Sequence, residues 1–292
     1  MSLKTVAILS PGDMGHTVGR VLDEHGLRVI TCLAGRSERT RSLAKSANIG
    51  DVPTYNALVA EADVLLSILV PAEAKTAARA IAKAITETGK SLLYADCNAI
   101  APQTVCEIGT IITAAGGRFV DASIIGAPPR RPGATRFYAS GPDVETFAAL
   151  SQFGLDVRPL GNQIGHASSL KMCYAALTKG LTALCTELLT AAEVLGVSEP
   201  LKAEFKLSQA AHYERMERGL PTMPPKARRW VGEMEEIAAT FAHVGLTPKI
   251  LEGAADMYRL VSETPLADLA PEDREAFPDL AEMVSTLAEK LR

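Results

Sequence analysis

Residues 5–9 (TVAIL) are continuously apolar, the pattern of a strand covered on both faces. The run breaks at Ser10-Pro11-Gly12-Asp13-Met14-Gly15 and resumes with helical spacing through Val18, Val21 and Leu22. Gly26 suits the end of that helix, and a second apolar run follows over 28–33. Strand, tight glycine turn, helix and strand in this order make a first βαβ unit. The alternation continues, with strands expected over 63–70, 91–96, 118–124, 134–140 and 156–160. Helices are expected over 72–86, 102–115 and 144–153. This is the signature of an α/β domain with a doubly wound, mostly parallel sheet of Rossmann type.

After Gly161 the period becomes helical throughout. The stretch 165–196 places leucines at 170, 177, 181, 184, 188 and 195, which predicts one long helix with an apolar face. Further helices are expected over 201–218, 227–244, 248–262 and 278–291. The chain therefore divides near residue 163. Residues 1–163 form the nucleotide-binding half, and residues 164–292 form an all-α domain that opens with the connecting helix.

Composition narrows the functional classes. The 292 residues are 47% hydrophobic and 22% charged, ordinary for a folded chain with a substantial core. A formal net charge of -4 argues against a nucleic-acid surface, and the basic clusters at 130–131 and 226–229 are short. The five cysteines show no paired spacing and are expected as reduced, buried thiols. The histidines form no ligand cluster, so no metal is expected. Strand-like residues begin by Lys4 without a charged-then-apolar lead, and no apolar run suits a membrane span; a cytoplasmic location is expected.

The chemistry starts at the first turn. Gly12 and Gly15 occupy the second and third glycine positions of G-x-G-x-x-G, while Ser10 replaces the first. Gly12 allows backbone to approach a pyrophosphate, Gly15 allows close packing of helix on strand, and the helix N-terminus attracts phosphate. At the end of the second strand an acid would grip the ribose of NAD. The segment Cys32-Leu33-Ala34-Gly35-Arg36-Ser37 holds none, and Arg36 with Ser37 suits a 2′-phosphate. NADP is the expected cofactor, with NAD as the alternative.

These motifs resemble the β-hydroxyacid dehydrogenase family, related to 3-hydroxyisobutyrate and 6-phosphogluconate dehydrogenases, and closely a divergent subgroup with a helical C-terminal domain. Ser10 to Gly15 matches the family's G-x-G-x-M-G turn except at its first position. The resemblance implies cofactor contacts from Ser10, Pro11, Gly12, Asp13, Met14, Gly15, Arg36, Ser37, Val70, Pro71 and Asn98. Asp96-Cys97-Asn98-Ala99 corresponds to Asp-x-Ser-Thr, with Asn98 and Ala99 substituted. The substrate loop D-A-P-V-S-G-G appears as Asp121-Ala122-Ser123-Ile124-Ile125-Gly126-Ala127. Ser123, Ile125, Gly126 and Ala127 are thereby implied as substrate residues, with Ile125 in place of the carboxylate-binding serine. The catalytic motif G-x-G-x-x-x-K-x-x-N-N runs from Gly165 to Ala175, keeping Lys171 but placing Tyr174 and Ala175 at the asparagine positions.

By that resemblance Lys171 is the general acid/base, with Ser168 and Tyr174 at helical spacing beside it. Tyr174 joins the implied substrate residues. Ile125 and Ala175 favour substrates with an apolar part, and Arg130 or Arg131 is placed to take over a carboxylate contact or to be solvated surface. Trp230 and Met234 suit either core packing or closure of a partner's pocket. The expected protein is an NAD(P)-dependent oxidoreductase acting on a β-hydroxyacid-like or related alcohol/carbonyl substrate, and a homodimer through the helical domain. An imine reductase is the enzymatic alternative, and a non-catalytic NADP-binding sensor or scaffold the alternative of another class.

Overall fold

The computed structural model describes residues 3–270 and 273–291. Two compact units divide after Met172. In the first, the strands are β1 (Thr5–Ile8), β2 (Arg28–Thr31), β3 (Gly50–Asp51), β4 (Val64–Ser67), β5 (Leu93–Asp96), β6 (Arg118–Gly126), β7 (Thr135–Ser140) and β8 (Val157–Pro159). They form one sheet in the order β3-β2-β1-β4-β5-β6-β7-β8. The β6–β7 pair is antiparallel, and the remaining pairs are parallel. The order reverses between β1 and β4, the switch point at which open α/β sheets bind ligands.

Alternation along the strands explains the two layers of helix. Val6, Ile8, Val64, Leu66, Val120 and Ala122 face one core, with Val18 and Leu22 of α1 (Asp13–Glu24), Ala44 of α2 (Glu38–Ser46) and Phe147 of α6 (Val144–Ala148). Ala7, Leu65, Tyr94 and Phe119 face the other core. That side is covered by Leu58 of α3 (Tyr55–Glu61), Ile81 and Ile85 of α4 (Ala74–Thr88), and Val105 and Ile108 of α5 (Pro102–Ala114). Each large aliphatic side chain buried in this way contributes roughly 1.5–3 kcal/mol. The doubly wound sheet expected from the sequence is thus present, followed by helices.

α7 (His166–Val194) crosses the boundary between the units. Thr178, Thr182, Thr186 and Thr190 each return a hydroxyl hydrogen bond to the carbonyl four residues earlier. None of the leucines of the expected stripe is fully buried: Leu170, Leu181 and Leu188 are half-buried and Leu177, Leu184 and Leu195 are exposed, whereas Leu189, outside the stripe, is buried.

The second unit continues with α8 (Ser198–Ser208), α9 (Ala210–Gly219), α10 (Ala227–His243), α11 (Lys249–Ser262) and α12 (Leu280–Lys290). Met234 of α10 and Tyr258 of α11 are fully buried. Trp230 packs edge-on to Tyr258, with ring centroids 5.3 Å apart, and Tyr258 donates its hydroxyl to the Lys179 carbonyl at 2.6 Å. Asp279 and Glu282 form a reciprocal capping box that starts α12.

Four local expectations are corrected. The helix expected over 201–218 is two helices, because Gln209 adopts φ -136 and ψ 35 and interrupts the ladder. The strand expected over 63–70 ends at Ser67, and Val70 instead precedes a one-turn helix opened by Pro71. α2, β3 and α3 lie where no element was expected; α2 and α3 are short and owe their starts to side-chain caps from Ser37 and Thr54. Cys32, Cys97 and Cys185 are buried, but Cys106 and Cys173 are exposed, so burial does not account for all five thiols. Among the described residues no helix is long and apolar enough to cross a membrane.

Candidate cofactor and catalytic site

The turn between β1 and α1 is built for close approach. The Gly12 N–H donates to the Ser10 carbonyl at 2.9 Å, and Gly12 caps α1 with no side-chain acceptor over its first N–H groups. A Cβ on Gly12 would meet nothing within 4 Å. On Gly15 it would run into the Ser10 carbonyl oxygen. Gly12 therefore leaves room for a ligand, and Gly15 lets the helix lie against its own turn. His16 is buried and donates from Nδ1 to the Gly12 carbonyl at 2.7 Å, which stiffens the turn from below. The open glycine, the uncapped helix end and the positive dipole fit a pyrophosphate.

Arg36 and Ser37 follow β2. Arg36 reaches back across the turn, with Nη2 3.3 Å from the Leu9 carbonyl. Ser37 caps α2 by accepting from the Thr40 N–H at 3.3 Å, and its hydroxyl lies 3.1 Å from that of Thr40. Asp51 of β3 accepts from the Leu33 N–H at 2.8 Å. Arg41 donates to the Leu33 carbonyl at 2.7 Å. A guanidinium and two hydroxyls at a helix start form a donor set suited to phosphate.

Arg130, in the loop joining β6 to β7, forms an ion pair with Asp13 at 2.6 Å. The pair ties that loop to the glycine turn. It neutralises the acid standing at the start of α1, where a phosphate would otherwise be repelled. Arg130 is thus engaged at the cofactor turn.

Beyond the switch point, the register aligns Ser67 of β4 with Asp96 of β5, Asp96 with Asp121 of β6, and Asp121 with Ser140 of β7. All four are buried. Buried polar groups of this kind persist only when bonded. Asp121 accepts from the Gly165 N–H at 3.0 Å, the Ser168 N–H at 3.0 Å, the Ser168 hydroxyl at 2.7 Å and the Ser140 hydroxyl at 3.2 Å. The first turn of α7 is therefore anchored on a β6 carboxylate.

Asp96 accepts from the Asn98 N–H at 3.0 Å and from its Nδ2 at 3.1 Å. The same Nδ2 donates to Ser67 Oγ at 3.1 Å, while Asn98 Oδ1 accepts from the Leu69 N–H at 2.5 Å. Asn98 so joins the ends of β4 and β5, and its main-chain carbonyl accepts from Lys171 Nζ at 3.3 Å. Burial pushes the Asp96 carboxyl up to about 7, with the nearby Asp121 adding to the rise; the Asn98 N–H and Lys171 pull it down. Burial likewise raises Asp121, opposed by its hydrogen bonds from Ser168 and Gly165.

The structure thus brings Lys171 and Asn98 into contact. Ser123 is buried on β6, two residues beyond Asp121 on the same face, with no partner for its hydroxyl. Ile125 is buried further along that face, and Gly126 and Ala127 are exposed at the strand end. Val70 is 46% exposed, with Pro71 beside it after β4. Tyr174 is half exposed on α7. Lys179, which fits no motif and reads as surface or interface, forms a part-buried ion pair with Glu233, to which Arg229 adds a contact at 3.1 Å. Ser168, expected beside Lys171, gives its hydroxyl to Asp121, and Asp96, Asp121 and Ser140 are the polar residues that motif reading did not single out as a site. Their sequence signal is a polar residue that closes an apolar strand, as Asp96 and Ser140 do, or interrupts one, as Asp121 does.

Comparison with known proteins bears on the family and the fold. Residues 5–153 match the family described as the NAD binding domain of 6-phosphogluconate dehydrogenase, and residues 192–261 match a domain of unknown function, DUF1932. An uncharacterized 28.5 kDa protein of Methanothermus fervidus is 29% identical over 196 residues, covering 67% of this chain and 74% of its own. A solved conserved protein of unknown function, described as structurally similar to 3-hydroxyacid dehydrogenases, is 29% identical with a TM-score of 0.66. That match covers 91% of this chain and 100% of the other. Mycobacterium tuberculosis 3-hydroxyisobutyrate dehydrogenase shares the fold at 19% identity, with a TM-score of 0.70 over the whole of both chains. The chain belongs to the family defined by the NAD binding domain of 6-phosphogluconate dehydrogenase, and it carries DUF1932 in its helical half.

Proposed function

We propose that the protein is an NADP-preferring dehydrogenase or reductase acting on a β-hydroxyacid-like or related alcohol/carbonyl compound, with Lys171 as general acid/base. The observation that carries this reading is the Lys171 ammonium, held on the Asn98 carbonyl at the end of β5, on the same sheet margin as the glycine turn. A bound nicotinamide supplies the hydride acceptor or donor. Ser10 to Gly15 would receive the pyrophosphate, Arg36 and Ser37 the 2′-phosphate, and Val70, Pro71 and Asn98 would line the nicotinamide side. Lys171 would take the proton of the substrate hydroxyl in oxidation and return it in reduction. Ile125 removes the hydroxyl that related enzymes offer to a carboxylate, which favours a substrate with an apolar part. The exposed Leu177 and Leu184 on α7, with Leu195 just past its end, support a homodimer through the helical residues 164–292.

The test is a titration with NADPH and NADH, followed by turnover of hydroxyacids, aldehydes and cyclic imines read by nicotinamide absorbance. Tighter NADPH binding with turnover of a hydroxyacid or aldehyde is expected. Equal cofactor affinities would sink the NADP preference. Turnover restricted to imines would replace the dehydrogenase reading, and tight binding without turnover would favour a sensor.

A further inference from the structure

Lys171 reaches the site on a helix, while two buried carboxylates of the site stand on strands. The carboxylates of Asp96 and Asp121 occupy paired positions on β5 and β6, both almost fully buried. Their partners differ. Asp121 holds main-chain N–H groups of Gly165 and Ser168, which fixes the start of α7 and hence the level of Lys171. Asp96 holds both the main chain and the side chain of Asn98, the residue whose carbonyl receives the Lys171 ammonium.

We propose that Asp96 is the positioning residue of Lys171, its carboxylate orienting Asn98 so that the Asn98 carbonyl and the field of the buried acid together hold the lysine ammonium in place. The inference deepens the general acid/base reading above and rests on it for its meaning in catalysis. Two physical arguments carry it. Asn98 has its N–H, both side-chain atoms and its carbonyl committed, so its carbonyl cannot turn away without breaking bonds to β4 and β5. In addition, a buried carboxylate acts on a nearby ammonium through little intervening water, where charge interactions are several-fold stronger than at a surface. Burial raises Asp96 and Lys171 draws it back, so the two groups sense each other's charge. The titratable groups gathered here are Asp96, Cys97 and Tyr94 from the β5 segment, Asp121 from β6 and Lys171 from α7.

The consequence is a lysine whose proton affinity follows the state of Asp96. When Asp96 ionises, the ammonium is stabilised and Lys171 holds its proton more tightly; when Asp96 is protonated, Lys171 releases it more readily. A merely structural role for Asp96 would leave the titration of Lys171 unaltered.

The experiment is a pH titration of the full-length protein after reductive methylation of its lysines with isotope-labelled formaldehyde. The Lys171 signal is followed by nuclear magnetic resonance and assigned by its loss in Lys171→Arg. In the wild type, the Lys171 signal is expected to show an inflection near pH 7, where Asp96 titrates. In Asp96→Asn that inflection is expected to vanish, and the lysine's own midpoint to fall by about one pH unit. An identical Lys171 titration in both proteins would overturn the proposal. Should Asp96→Asn fail to fold, the wild type alone decides, because a signal flat between pH 5 and 9 has no coupling to Asp96. Turnover by Lys171→Ala would remove the lysine from the chemistry while leaving this coupling measurable, so the two readings fail separately.

Discussion

The glycine turn and the buried polar row do opposite things with the same sheet margin. At the turn, the chain offers backbone and empty space: Gly12 has nothing within 4 Å of an added Cβ, and α1 starts without a side-chain cap. At the row, Ser67, Asp96, Asp121 and Ser140 are buried and bonded to one another's neighbours across four strands. An anion can be received by groups left open, whereas the Lys171 ammonium is held by a group already committed. The contrast teaches where each kind of substitution should be felt.

The largest effect is expected from splitting the two glycines. Gly15→Ala drives a Cβ into the Ser10 carbonyl and should cost about 1–3 kcal/mol of stability, with cofactor binding lost as the turn deforms. Gly12→Ala should leave thermal unfolding unchanged yet weaken cofactor binding by about tenfold or more, because its methyl fills the space the pyrophosphate needs. Calorimetric melting and cofactor titration on the two variants check this, and equal melting losses would erase the distinction between open and packed glycine.

The buried row predicts a pH effect that the turn does not. The folded Asp96 carboxyl lies near 7, above its ordinary value of 3.8, so folding retains a proton that the unfolded chain releases. Stability from this group is therefore complete below about pH 4 and lost as pH rises through 7, by up to ~4 kcal/mol. Denaturant unfolding between pH 4 and 8 should show that decline in the wild type and a flatter profile in Asp96→Asn. A wild type equally stable at both ends of the range would contradict it.

Cofactor choice is expected to depend on fewer groups. Arg36→Ala should remove most of the preference for NADPH over NADH, a loss of roughly 1.5–3 kcal/mol of phosphate recognition, while NADH affinity stays within about twofold. The smallest effect belongs to the exposed Arg130–Asp13 pair. Breaking it with Arg130→Ala should change stability by about 0–1 kcal/mol, and its effect on cofactor affinity should diminish in the Asp13→Asn background. An unaltered effect in that background would separate Arg130 from Asp13.

The two regions also differ in how far sequence exposes them. The turn was legible because its determinants lie within six consecutive residues, Ser10 to Gly15, between an apolar strand and an amphipathic helix. The sheet was legible where runs such as 5–9 were fully buried, and illegible at β3, a two-residue strand too short to carry a period. The break at Gln209 was hidden because apolar spacing continues past it. The row was legible only residue by residue. Asp96 and Asp121 stood in recognisable motifs, but that they face the same side depends on strand register, which no local pattern records. Lys179 makes the same point in the helical unit, since its partner Glu233 lies on another helix and no local pattern pairs the two.

The central claim, that Lys171 moves the proton in a nicotinamide-dependent oxidation or reduction, is tested most directly by measuring kcat and NADPH affinity of Lys171→Ala side by side with the wild type on the same hydroxyacid or carbonyl substrate. A fall in kcat of about 10²–10⁴-fold with NADPH affinity unchanged is the predicted result. A variant that turns over at the wild-type rate would contradict the assignment.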